Sequence, residues 1–282
     1  MAQPDMRGKV CLVTGSNSGL GKATALGLAH LGATVILGCR DKQRGEAAMT
    51  EIKAASGNQL VELMLIDLSL QHSVRSMVAE FKKRYAHLDV LINNAGIFKN
   101  RRVVTTDGME TMFATNHLGA FLLTNLLLDK LKSAASARIL SITAPSTTPL
   151  DFDDLQGEKK FNAYSAFGAS KMCNLLFTYE LARRLRRLEG THVTANAIHP
   201  GLVKSGIMRE AAAPIRWFPY IISTTPQKAS ATPVYYASSP EVEGMTGLFF
   251  RGRQAINSNS YSKNQEVQKH LWDVSIALTG LE

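Results

Sequence analysis

Cysteine is scarce in this chain: Cys11, Cys39 and Cys173 are the three among 282 residues. They are odd in number, far apart and set in apolar segments. No disulfide framework is expected, and they read as buried free thiols of a reducing compartment. No apolar run approaches the roughly 20 residues needed to span a bilayer. The opening MAQPDMRGK is polar, so neither a signal peptide nor an anchor is expected there, and a cytoplasmic location follows. Internal repeats, low-complexity tracts and Pro/Gly-rich linkers are also missing, which leaves a single domain over residues 1–282. Acidic residues are the minority sign, 23 against 32 basic, for a net charge of +9. The basic residues are dispersed and no nucleic-acid-binding signature accompanies them. Their densest cluster, RRLRR at 183–187, lies on an amphipathic helix and is expected to be a solvated face. An anionic small ligand would also benefit from the surplus.

What is present is alternation. KVCLVT (9–14), TVILGC (34–39), VELMLIDL (61–68), LDVLINNA (88–95), ARILSIT (137–143) and HVTANAIHP (192–200) are short apolar runs of the kind that form strands buried on both faces. Helical patterns separate them, including DGMETMFATNHLGAFLLTNLLLDKL and the segment through KMCNLLFTYELARRLRRL. This predicts an α/β fold, one doubly wound parallel sheet with helices on both faces. GLFFRG (247–252) is expected as a last edge strand and NQEVQKHLWDVSIALTG as a closing helix. The stretch 201–226 is irregular and expected to be a loop over a ligand. Its apolar residues Met208, Ala211 to Ala213, Ile215, Trp217, Phe218, Tyr220, Ile221 and Ile222 would wall an apolar cleft or pack on the body of the fold.

The first strand runs into TGSNSGLG, from Thr14 to Gly21, which opens a helix. Gly15, Ser16, Asn17, Ser18, Gly19, Leu20 and Gly21 thus form a loop whose backbone can approach a diphosphate at a helix N-terminus. A carboxylate is lacking at the end of the second strand, where the ribose 2′-hydroxyl of NAD would be held. The residues there are Gly38, Cys39, Arg40 and Asp41. Arg40 suits a 2′-phosphate through its planar fork, and Asp41 suits the start of the next helix, so NADP(H) is the expected cofactor. Asp67 and Leu68, after the third strand, are expected to flank the adenine. No metal site is expected.

With Thr14 to Gly21, NNAG at 93–96, Asn116, Ser170 with Lys171, and Pro200 with Gly201, the chain resembles the short-chain dehydrogenase/reductase superfamily over nearly its whole length. CRD at 39–41, NHLGAFLLTNLLL at 116–128, DDLQ at 153–156 and KHLWDVSIALTG look like its retinol-dehydrogenase-like branch. The resemblance implies a Rossmann-type fold and a tetrad of Asn, Ser, Tyr and Lys acting on NAD(P)(H). Asn116 matches the asparagine and Lys171 the lysine that binds the nicotinamide ribose and lowers the tyrosine pKa. Asn94, Ala95 and Gly96 match the loop beside the cofactor. Pro200, Gly201 and Val203 match the segment that fixes the carboxamide. A homodimer or homotetramer built on the helices at 105–132 and 161–188 is implied too.

Two hydroxyls of that pattern are absent. In YSAFGASK (164–171) the tyrosine position is Phe167, and after ARILSIT the serine position is Ala144. General-acid catalysis is worth roughly 10²–10⁴-fold, and one oxyanion donor roughly 10²–10³-fold. The chain as written is therefore expected to be nearly inert. Tyr164, Thr143 and Ser146 are the neighbouring hydroxyls, and none has the right placement by spacing. Relative to the family pattern each change removes a single oxygen and keeps the shape, which suggests an engineered inactive double variant. The expected parent is an oxidoreductase moving hydride between nicotinamide and an apolar alcohol or carbonyl. A natural non-catalytic NADPH-binding or regulatory protein is the other reading, and a nucleotide-sugar epimerase a weaker third.

Overall fold

VCLVT carries no charge, is buried at every position and forms β1 (Val10–Thr14). A strand apolar at successive positions has two apolar faces and must lie between layers. In this computed structural model, which describes residues 4–204, 206–208, 210 and 223–281, six more strands run parallel to it. They are β2 (Thr34–Cys39), β3 (Val61–Leu65), β4 (Val90–Asn93), β5 (Ala137–Ile142), β6 (Val193–His199) and β7 (Phe249–Arg251). A two-residue β8 (Gln254–Ala255) pairs antiparallel with β7 and takes the edge position expected for β7 itself. The order is β3-β2-β1-β4-β5-β6-β7-β8. Several strands stop short of the expected ends at Leu68, Ala95, Thr143 and Pro200. Those residues leave the ladder to line the carboxyl edge of the sheet.

The helices are α1 (Gly19–His30), α2 (Lys42–Ser56), α3 (Gln71–Arg84), α4 (Thr111–Phe113), α5 (Gly119–Leu126), α6 (Leu128–Lys132), α7 (Ala163–Arg186), α8 (Pro226–Ser238), α9 (Ser260–Lys263) and α10 (Gln265–Thr279). Strand alternation sorts them into two layers. Cys11, Val13, Val35, Leu37, Leu140 and Ile198 pack with Leu28, Ile52, Ala229 and Tyr236 of α1, α2 and α8. Leu12, Ile36, Leu91, Ile139 and Ala195 face Phe81, Phe121, Phe177 and Trp272 of α3, α5, α7 and α10. This is the expected doubly wound Rossmann-type sheet. The chain winds outward from β1 to β3, then crosses back to β4, so its switch point lies between β1 and β4, where a crevice opens at the carboxyl ends.

Local chemistry places the helix ends. Asp41 accepts the Arg44 N–H as the α2 cap, as expected, and Gly57 ends that helix at φ +72°. Asn162 accepts from the Tyr164 and Ser165 N–H groups and starts α7. The single helix expected over 107–131 is instead α4, a π-helical turn over Ala114–Leu118, α5 and, after Leu127, α6. Helix α8 departs from the irregular stretch expected up to 226; Thr225 caps it, Pro226 is its first residue, and it tolerates Pro233 inside. Among the described residues no helix is long and apolar enough to cross a membrane.

The cluster RRLRR is not the purely solvated face expected. Arg183 and Arg184 both bind the carboxylate of Glu180, which is buried. Arg183 also donates to Gln268 Oε1 at 2.7 Å, and the Arg184 guanidinium lies 4.3 Å from the centre of the Trp272 ring. These two arginines clamp α10 onto α7, and only Arg186 and Arg187 are exposed. Replacing Glu180 with alanine strands two half-buried guanidinium groups. Glu180→Ala is expected to lose about 2 kcal/mol of stability by urea denaturation, while Arg187→Ala stays within about 0.5 kcal/mol.

Candidate active site

The crevice begins where β1 and β4 end. The Thr14 hydroxyl accepts from the N–H of Asn94 at 3.0 Å and of Ala95 at 3.1 Å, and donates to the Ile92 carbonyl at 3.3 Å. The Asn94 side-chain amide returns to the Thr14 carbonyl at 2.8 Å and reaches the Gly15 carbonyl at 3.3 Å. The glycine loop is thereby drawn against the NNAG turn. A Cβ on Gly15, which sits at φ +64°, would lie 2.9 Å from Ala95 Cα, and one on Gly21 only 2.4 Å from Asn94 Nδ2. At Gly15 and Gly21 side chains are excluded and the loop presents bare backbone, as a diphosphate cradle needs.

Not every loop residue faces that cradle. Ser16 is fully buried; its hydroxyl donates to the Val13 carbonyl at 2.8 Å and lies 3.6 Å from Cys39 Sγ. Leu20 is buried in the core with α1, whereas Asn17 is half-buried and Ser18 exposed. Beyond β2, the Arg40 side chain is 67% exposed and makes one loose ion pair, 3.8 Å from Asp67. Asp67 turns its other oxygen to Ser69, accepting from N–H at 2.9 Å and hydroxyl at 2.6 Å. Leu68 is buried in the core, and its carbonyl lies against Gly119, whose Cβ would sit 2.2 Å from that oxygen.

Asn116 lies in the π-helical turn, an irregularity that concentrates at functional sites. Its amide does not bond its own helix. Oδ1 accepts the Ile97 N–H at 2.8 Å, and Nδ2 donates to the Ile97 carbonyl at 3.0 Å and to Ser170 Oγ at 2.9 Å. Ser170, one residue before Lys171, donates in turn to the Phe167 carbonyl at 2.7 Å. Lys171 is no surface lysine: 6% exposed, it places Nζ 5.4 Å from the centre of the Phe167 ring. A Cβ on Gly96 would stand 3.2 Å from that Nζ and 3.5 Å from Asn116 Oδ1, so the glycine keeps the amine and the amide within reach of one point. Phe167 packs edge-on to Phe98 at 5.8 Å in a small apolar cluster with Ile97 and Phe161.

Two of the neighbouring hydroxyls are spent elsewhere. Thr143 donates to the Lys171 carbonyl at 2.9 Å, and Ser146 to the Gly168 carbonyl at 2.7 Å. Tyr164 is exposed, and its ring lies tilted against Phe98 with the centroids 5.3 Å apart. Ala144 follows Thr143 at the end of β5 and is half-buried. Gly168 admits the Thr148 hydroxyl, which would lie 2.4 Å from a Cβ there. Past β6, half-buried Pro200 leads into Gly201 at φ +77°, and Val203 bridges to Thr224. The structure thus gathers Asn116, Phe167, Lys171 and Gly96, and separately the glycine loop with Asn94. The apolar residues of 211–222 and the Met208 side chain lie outside the described residues. Sequence reasoning missed the bracing role of Ser170, although it adjoins Lys171, and the ion pair of Lys99 with Glu210 at 2.7 Å, for which spacing holds no signal.

The family profile described as short chain dehydrogenase matches residues 9–215. Human Retinol dehydrogenase 14 is 41% identical over 297 residues, spanning 98% of this chain and 88% of the relative. Human Retinol dehydrogenase 11 is 42% identical over 279 residues, 97% of this chain and 86% of the relative. A crystal structure of an uncharacterized protein from Mycobacterium Paratuberculosis superposes with a TM-score of 0.81 at 31% identity, covering 99% of this chain and 96% of that one. The chain belongs to the short-chain dehydrogenase/reductase family, whose members are oxidoreductases that bind a nicotinamide cofactor.

Burial sets the state of Lys171. Loss of water pushes its pKa down from 10.5 to about 8. Below about 8 the amine is charged in folded and unfolded chains alike, and the folded chain bears the full cost of burying it. Between about 8 and 10.5 the unfolded chain holds a proton that the folded one has released, so stability rises with pH. Relative to Lys171→Met, the unaltered cofactor-free chain is expected to gain about 3 kcal/mol across that window. Urea denaturation of both proteins on either side of it checks the sign.

Proposed function

We propose that this chain binds NADP(H) and belongs, by its site, to oxidoreductases of apolar alcohols and carbonyls, with its own turnover stopped by Ala144 and Phe167 as in an engineered inactive double variant. The observation that carries this reading is the buried Lys171 amine beside a phenyl ring, with Asn116 and Ser170 bracing the helix around it. Burying a cation is costly, and the Phe167 ring at its side has no hydroxyl to tune. When bound, NADPH supplies the hydride. The chain's own parts do the rest: the glycine loop offers backbone N–H groups, Arg40 offers an exposed guanidinium to a 2′-phosphate, and Lys171 offers its amine to ribose hydroxyls. Asp41 is committed to capping α2, which leaves the strand end without a free carboxylate of its own. The apolar wall of Phe98, Ile97 and Phe161 beside Phe167 suits an apolar substrate, in keeping with the retinol of the relatives' names.

A ring hydroxyl at position 167 would gain acidity from the Lys171 charge, and a hydroxyl at 144 would steady the charged oxygen of the substrate. Ala144→Ser and Phe167→Tyr made together are expected to raise NADPH oxidation with apolar aldehydes by about 10³-fold or more. The edge-on packing of Phe167 against Phe98, in an apolar cluster with Ile97 and Phe161, favours a second reading, a natural NADPH-binding protein without turnover, because the phenyl ring fits as it stands. A double variant that binds NADPH and stays silent across the aldehyde panel would support that reading over the first. For the cofactor itself, Arg40→Glu is expected to weaken NADPH binding about tenfold or more while leaving NADH binding nearly unchanged, as read by fluorescence titration.

A further inference from the structure

Beyond Pro200 and Gly201, a cavity of about 580 Å³ opens at the carboxyl end of β6 and β7. Three basic side chains line it: His199 ending β6, Arg251 ending β7 and Lys228 in the first turn of α8. Thr224, Thr232 and Gln254 add neutral polar groups, and among the described residues no carboxylate lines it. The register of the sheet pairs His199 with Arg251, so imidazole and guanidinium leave neighbouring strands side by side. Burial and then the Arg251 charge push the His199 pKa down, and its Nδ1 is sealed from water with no partner among the described residues.

Lys228 and Arg251 hold no carboxylate among the described residues, and the fold brings both to one concavity. Like charges gathered without a counter-charge repel, and an oxyanion between them removes that cost. A guanidinium fork meets two oxygens of such a group, and an ammonium adds a point charge. Ligands of open α/β sheets collect at this carboxyl edge.

We propose that the cavity is an oxyanion site, taking the phosphate or carboxylate group of a small molecule, with Lys228 and Arg251 as its charged ligands and the Thr224 and Thr232 hydroxyls as further donors. The charged ligands of this site lie away from the glycine loop and the proposal does not rest on the cofactor reading, although Pro200 and Gly201, matched above to the carboxamide segment, border the cavity. The test is a ¹H–¹⁵N chemical-shift titration of the full chain at constant ionic strength, with inorganic phosphate in one arm and acetate in the other, each with and without saturating NADPH. Saturable shifts at the amides of Arg251, Gly252 and Thr232 are expected with at least one anion, unchanged by NADPH. The stronger arm identifies the group. Lys228→Met with Arg251→Met should weaken that binding at least about tenfold and leave NADPH affinity within about twofold, because both side chains are exposed and outside the glycine loop. Lys228→Arg with Arg251→Lys should retain binding. Shifts that do not saturate, that persist in the Met double variant, or that NADPH abolishes would overturn the proposal. A chain that binds phosphate here but no NADPH would instead remove the cofactor reading and leave this one standing.

Discussion

One hydroxyl joins the two halves of the sheet at the point where they diverge. Thr14 ends β1, and its side chain accepts from the first two N–H groups beyond β4, which have left the ladder; that of Asn94 also reaches the Ile92 carbonyl at 3.0 Å. Asn94 completes the exchange from the other side. The glycine loop cannot drift from the NNAG turn without breaking these bonds. The open backbone of the loop is thus a consequence of close packing, and a side chain there would be expelled by steric contact before any ligand arrived.

The same logic explains what could be read from residues alone. Strands such as VCLVT and TVILGC are legible because apolarity at consecutive positions is a local property that only a buried strand satisfies. The cofactor loop is legible because glycine is required where backbones touch. Ser16 and Leu68 were found by position, but their side chains point inward, a direction that only the packing of β2 and α5 decides. The RRLRR cluster misleads for a related reason: the groups that claim Arg183 and Arg184, at Gln268 and Trp272, lie far along the chain. Helix α8 carries Pro233 in its interior, a residue that ordinarily argues against a helix, and tertiary contacts with α1 override it.

Around Lys171 the fold spends its polar groups on position. Asn116, Ser170 and Thr143 all bond to backbone or to one another: Asn116 ties the π-helical turn to Ile97 beyond β4 and to Ser170 of α7, Ser170 bonds within α7, and Thr143 ties α7 to the end of β5. Among the described residues the amine has no hydrogen-bond partner of its own and is held in place by its helix. The Phe167 side chain takes no part in these bonds, so the scaffold around Lys171 does not depend on it.

The π-helical turn over Ala114–Leu118 has a consequence for phase. Such a turn holds one residue more than an α-helical turn, and each residue advances a helix by about 100°. Deleting a single residue there would restore ordinary α-helix and swing everything before it around the axis by about that angle relative to α5. Asn116 would then face away from Ile97 and Ser170 while the core face of α5 stayed in register. The extra residue acts as a fixed angular offset, allowing one continuous length of chain to serve the core on one heading and the crevice on another.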